Sequence, residues 1–206
     1  QDAQSIEQKL EECPFIEQWF RGEPTQCGIL GAGSTGTSVL INDKDVKQNM
    51  MLMWVPLDFF KFYELRMKEK VEGRNKYLVI MNEAAMKAFG YTKRDEAFVR
   101  GEKALWISMG MDGNIIEGGT SLMPVEAVVE NYYTGHLTAG KKPLVFMVSP
   151  KAGGSQYQIA CKNGKEKELI SYLKKIRQEI FNTEEFDHHW LEEDVQALYR
   201  EDRRVS

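Results

Sequence analysis

The chain has 206 residues, 27 Lys and Arg against 31 Asp and Glu for a net charge of −4, and is 42% apolar and 11% aromatic. That apolar and aromatic mass excludes a disordered chain, and the lack of a basic excess excludes a general nucleic-acid binder. No stretch approaches the roughly 18 apolar residues of a membrane span, and the length suits one domain, or one domain with a helical extension.

Charge is biased in one place only: residues 1–24 carry six acids and two bases, which suits a solvated helix face. The chain opens on Gln1, which fits either a removed leader or a trimmed piece. A cleaved secretory signal would place the protein outside the cytoplasm.

Residues 5–20 predict a helix, with Ile6, Leu10, Phe15, Ile16 and Trp19 on one side and Pro14 perturbing the middle. Residues 27–30 and 37–41 predict short strands around a glycine loop, and 50–55 a buried strand. Pro56 suits the first turn of a helix through Val71, because Phe59, Phe60, Tyr63, Met67 and Val71 keep helical spacing. Residues 77–81 predict another buried strand, after which Asn82 caps a short helix ending at Gly90. Residues 103–109 read as a strand and Met111-Asp112-Gly113-Asn114 as a turn, since Asp-Gly tolerates a positive φ. Pro124 opens a further predicted helix to Tyr133.

Residues 144–149 and 156–161 flank Pro150-Lys151-Ala152-Gly153-Gly154-Ser155 and predict a β-hairpin. Asn163 and Glu166 resemble a capping box, and Leu169, Ile170, Leu173, Ile176, Ile180 and Phe181 form one helical stripe. Thr183 is placed to cap a last helix carrying Phe186, Trp190, Leu191, Val195 and Leu198, with acids early and Arg200, Arg203 and Arg204 late. The expected fold is α+β: a single mixed or antiparallel sheet covered by the helices at 56–71 and 165–181, with a C-terminal helical extension. Residues 1–182 would form the domain, and 183–206 a helix packed on it.

Gly31-Ala32-Gly33-Ser34-Thr35-Gly36 matches G-x-G-x-x-G, which makes Gly31, Gly33 and Gly36 candidates to cradle a phosphate. The same loop approaches a nucleophile elbow, with Ser34 as nucleophile and His136 as the base. Both chemistries need a helix after the loop. Thr37-Ser38-Val39-Leu40-Ile41 instead looks like a strand, so the loop reads first as a mobile hairpin connection.

His188 and His189, among Glu184, Glu185, Asp187, Glu192 and Glu193, carry the atoms of a metal site. On a helix, however, adjacent histidines point about 100° apart, so no metal is expected. Met50, Met51 and Met53 could offer thioethers to copper, but alternation along a strand separates Met51 from its neighbours, and core packing explains them. Three cysteines are too few for a framework. Cys13 and Cys27 could pair in an oxidising compartment, leaving Cys161 over, or all three could stay reduced.

Asn82-Glu83-Ala84-Ala85-Met86-Lys87-Ala88-Phe89-Gly90-Tyr91 resembles the helical stretch of PAS sensor domains. The strand-like residues before it and Asp112-Gly113-Asn114 after it have loose parallels there. The likeness departs after Tyr91, where an extra residue precedes Asp95-Glu96, and a sensor role is what it implies. Three functional readings therefore stand in order. The first is a non-catalytic ligand- or protein-binding domain without a cofactor, a nucleic-acid partner or a membrane span. The second is a hydrolase using Ser34 and His136, and the third a PAS-like sensor or nucleotide-binding domain.

Overall fold

The computed structural model describes residues 2–22, 37–73, 78–102, 122–132, 141–148, 156–188 and 190, and the backbone alone over 107–109 and 115–117. In chain order its elements are α1 (Asp2–Glu12), β1 (Ile16–Arg21), β2 (Thr37–Asn42), β3 (Lys47–Val55), α2 (Asp58–Phe62), β4 (Met67–Lys70), β5 (Val79–Asn82) and α3 (Glu83–Ala88). There follow β6 (Phe98–Gly101), β7 (Ile107–Met109), β8 (Ile115–Glu117), β9 (Met123–Pro124), β10 (Ala127–Val129), β11 (Leu144–Val148), β12 (Tyr157–Cys161) and α4 (Glu166–Phe181). The class is α+β, as expected. The main sheet is mixed and has eight strands in the order β4-β10-β5-β11-β3-β2-β6-β9, and two-stranded sheets β1-β12 and β7-β8 lie beside it.

One run of chain joins the two ends of the main sheet. Residues 123–129 pair with β6 at their start and with β5 and β4 at their end. Between these, the Val125 N–H donates to the Ala97 carbonyl and the Glu126 N–H to the Val79 carbonyl, both at 2.9 Å. The sheet therefore curls closed. Its inner face holds Leu40, Met50, Val79, Met81, Val145 and Met147, plugged by Ala85 and Met86 of α3 with Phe89 and Tyr91. Its outer face holds Met53, Val55, Ile80, Leu144 and Phe146, covered by Phe59 and Phe60 of α2 and by Phe20 of β1. Strands buried on both faces read as unbroken apolar runs, and β5 and β11 do so.

A third cluster joins the chain's two terminal parts: Leu10, Cys13, Ile16, Leu169 and Ile176 pack together beneath the β1-β12 pair. The Tyr172 hydroxyl donates to the Lys9 carbonyl at 2.8 Å, and Lys9 lies 3.7 Å from Glu179. Ile16 pairs with Cys161, so α1 ends where α4 begins. The two helices pack against each other, with Lys9 of α1 against Tyr172 and Glu179 of α4.

Several expectations are corrected. The helix over 5–20 stops at Glu12, because Pro14 lacks an N–H and pushes the preceding residue out of the α region, and Ile16–Arg21 then becomes a strand. The helix from Pro56 ends after Phe62. Glu64 takes a left-handed φ of 54° and the Leu65 N–H bonds back to the Phe60 carbonyl, a C-terminal turn that releases Met67 into β4. No helix follows Pro124 among the described residues; Ala127, Val128 and Val129 instead form β10. The 144–161 hairpin is also absent, since β11 has both edges filled by β3 and β5 and β12 pairs with β1. Consequently α4 packs on the third cluster and not on the main sheet. Its N-cap is Lys165 without a side-chain cap, so Asn163 and Glu166 make no capping box. Thr183 accepts from the Glu185 N–H at 3.2 Å as a cap would, yet 183–188 carry no helix.

Leu173 is half-buried in the third cluster. Leu173→Asp is accordingly expected to cost about 1–3 kcal/mol by loosening α4 from β1 and β12. Hydrogen exchange should rise in α1 and α4 before it rises in β5 and β11. Equal loss of protection in the main sheet would contradict this separation of clusters.

Tyr91 is buried in a tight turn. Its hydroxyl donates to Asp43 Oδ1 at 2.5 Å, with the Phe98 carbonyl at 3.0 Å as the alternative acceptor, and accepts from the Phe98 N–H. Burial, and next the bond to Asp43, push its pKa above the ordinary 10.0. A raised folded pKa means that this stabilisation is complete below about pH 10 and is lost as pH climbs through the folded value. Tyr91→Phe should cost about 1–2 kcal/mol at neutral pH. It should also flatten part of the alkaline limb of a stability–pH curve, and an unchanged limb would argue against it. Tyr157 and Tyr172, both raised by burial, contribute to the same limb.

Candidate functional site

The site is built where the terminal unit meets the main sheet. A bulge at Glu17 shifts the β1 register between Ile16 and Gln18, turning the strand and leaving Glu17 exposed. Phe20, further along β1, drives into the outer-face cluster, with ring centroids 4.9 Å from Phe62 and 6.0 Å from Tyr63. Between these anchors lies a cleft of about 280 Å³ lined by Leu10, Glu11, Ile16, Glu17, Gln18, Trp19, Asp58, Lys61 and Phe62.

Three elements bring three carboxylates here, Glu11 of α1, Glu17 of β1 and Asp58 of α2, against one cation among the described residues, Lys61. Leu10, Trp19 and Phe62 supply apolar walls. Among the described residues the lining contains no serine, cysteine or histidine, so it offers carboxylate acceptors, an ammonium and aromatic surface, without a hydroxyl or thiol nucleophile. An acceptor-rich cleft with aromatic walls suits a cationic or N–H-bearing group from a protein or ligand.

A second cleft, of about 450 Å³, runs along β4 and is lined by Met67, Lys68, Glu69, Lys70, Glu72, Lys93, Arg94 and Asp95. Its charges alternate in sign and are partly engaged: Glu69 Oε2 accepts from the Arg94 N–H, and the Arg94 guanidinium donates to the Val125 carbonyl. Lys68 pairs with Glu83, and that hydrogen bond holds the Glu83 carboxyl below its usual range against an opposing effect of burial. Alternating charge on a short edge strand is a device against unwanted strand pairing.

Of the candidate site residues from the sequence, His188 alone lies among the described residues. Gly31, Gly33, Ser34, Gly36, His136 and His189 lie outside the described residues. β2 begins at Thr37, directly after Gly36, so neither the phosphate cradle nor the nucleophile elbow has its helix. His188 is exposed, with ring centroids 5.3 Å from Phe186 and 6.0 Å from Trp190. Among the described residues no group of three His, Cys, Asp or Glu side chains is placed closely enough to hold a metal ion. Met53 and Met51 face the outer cluster, and it is Met50, not Met51, that turns to the inner one. The PAS-like letters have a capping explanation: Asn82 Oδ1 accepts from the Ala85 N–H at 2.9 Å and Gly90 takes a φ of 78°. The cleft residues Glu17, Asp58 and Lys61 were not singled out, because nothing in the sequence links a strand bulge to a helix some forty positions on.

No family model matches the chain, and no curated protein matches it either. Among solved structures it is similar to the periplasmic region of MacB from Actinobacillus actinomycetemcomitans, with a TM-score of 0.52, 10% identity, and coverage of 89% of this chain and 74% of that one. It is also similar to a domain assigned to a permease protein from Porphyromonas gingivalis, with a TM-score of 0.54, 12% identity, and coverage of 82% and 73%. At such identities the likeness is one of fold. No described helix is long and apolar enough to cross a membrane.

Proposed function

We propose that this chain is a non-catalytic, extracytoplasmic interaction domain of a membrane permease-type protein. The observation that carries the reading is the shared fold with the periplasmic region of MacB and the permease-protein domain. The β1–α2 cleft, with carboxylate acceptors and aromatic walls in its lining, is the surface on which a protein partner would be gripped.

The test is topological. Protease added to source cells with an intact plasma membrane should degrade this chain while a cytoplasmic marker survives. Protection equal to that of the marker would overturn the location. An esterase or peptidase activity that disappears in Ser34→Ala would overturn the non-catalytic part and favour the hydrolase reading.

A further inference from the structure

We propose that Cys13 and Cys161 are a disulfide-forming pair that joins the two ends of the folded chain. Cys13 leaves α1 just before Pro14 and lies three residues ahead of Ile16, the strand partner of Cys161. The ladder continues past that pair, because the Lys162 N–H donates to the Phe15 carbonyl at 2.9 Å. Both cysteines therefore sit at one corner, where α1 turns into β1 and β12 leads to α4.

They also share a side. Tyr157, Ile159 and Cys161 alternate along β12 and pack on the third cluster, of which Cys13 is a buried member, 5% exposed. Both are free thiols in this structure, and Cys161 Sγ donates to the Lys162 carbonyl at 3.2 Å. Burial, then the charge of Glu166, then that of Cys13, raise the Cys161 pKa.

The oxidant is a disulfide, either a small one such as oxidised glutathione or a protein of the same chemistry. Cys161 is the more exposed, so its thiolate attacks one sulfur of the oxidant, forms a mixed disulfide and releases one thiolate. The Cys13 thiolate then attacks the Cys161 sulfur and releases the second. Two cysteine thiols lose two protons and two electrons, and the oxidant becomes two thiols. The new bond closes a loop of about 150 residues, the long-loop case in which restriction of the unfolded chain is greatest.

The experiment uses the full chain with oxidised glutathione, peptide mapping without reductant, and thermal melts. A Cys13–Cys161 cross-linked peptide is expected, formed faster as pH rises because the Cys161 thiol is pushed up. Tm should rise by about 5–15 °C and fall back on reduction. Cys27→Ser should leave both results intact, while Cys13→Ser should stop at a glutathione adduct on Cys161. A Cys13–Cys27 or Cys27–Cys161 product, or glutathione adducts alone in the unmodified chain, would overturn the pairing, and that map decides even if a variant fails to fold. The bond's persistence in cells rests on the extracytoplasmic reading, whereas its formation in the tube does not, so the two can fail separately.

Discussion

Phe59→Ala is expected to lower stability by about 3–5 kcal/mol, the range for removing a large aromatic side chain from a filled core. Phe59 is fully buried, and its ring lies 5.3 Å from Phe60, 5.1 Å from Tyr63, 6.1 Å from Phe146 and 6.4 Å from Phe20 between centroids. Those partners come from α2 and the turn after it, from β11 and from β1, so the void would open at a junction of three layers. With roughly 2–4 °C lost per kcal/mol at this size, Tm should fall by about 10 °C or more. Phe62→Ala serves as the comparison. Phe62 is only half-buried and borders the cleft, so it should cost less than half as much. A melting point for Phe59→Ala within about 2 °C of the parent would mean that α2 does not seal the outer face of the sheet.

That junction also explains how much could be read from the sequence. Local periodicity marked β2, β3, β5, β11, β12, α3 and α4 close to their observed places, because each is a short apolar run or a stripe that its own residues define. Pairing was a different matter. The β11–β12 hairpin looked natural because the two runs are neighbours along the chain with turn residues between them. Yet β11 is fully buried along its length and takes β3 and β5 as partners, while β12 is half-buried and closes the chain by meeting β1. Only the burial difference distinguishes those fates, and it depends on the fold.

The same limit applies where period alone was used. Phe59, Phe60, Tyr63, Met67 and Val71 fit a helix, but Glu64 in a left-handed turn ends it and β4 follows. Pro124 suited the first turn of a helix, although the β-branching of Val128 and Val129 favoured the strand that forms. The candidate site was the least legible part. Glu11, Glu17 and Asp58 converge through a bulge and a helix–strand contact, and no one of the three stands out among its sequence neighbours.

Asn82→Ala is expected to be the most costly polar substitution, for reasons that combine a helix cap with strand satisfaction. Asn82 is completely buried at the end of β5. Its Oδ1 accepts from the Ala85 N–H and the Leu144 N–H, each at 2.9 Å, and its Nδ2 donates to the Lys142 carbonyl at 2.7 Å. Truncation removes the cap of α3, worth about 0.5–2 kcal/mol, and leaves the buried Leu144 N–H unpaired at about 1–3 kcal/mol, while the carbonyl of exposed Lys142 loses its bond at a smaller cost. A total of about 3–5 kcal/mol is reasonable once partial relaxation is allowed. Asn82→Asp separates the contributions. It keeps both accepted bonds but sets a carboxylate oxygen against the Lys142 carbonyl, so stability should fall as pH rises and that oxygen ionises. Protonating it at low pH should restore a donor toward Lys142. Denaturant unfolding of both variants between pH 4 and 8 checks this. If Asn82→Asp were as stable as the parent at pH 8, the Nδ2 bond would carry no weight, and Asn82 would act as a helix cap alone.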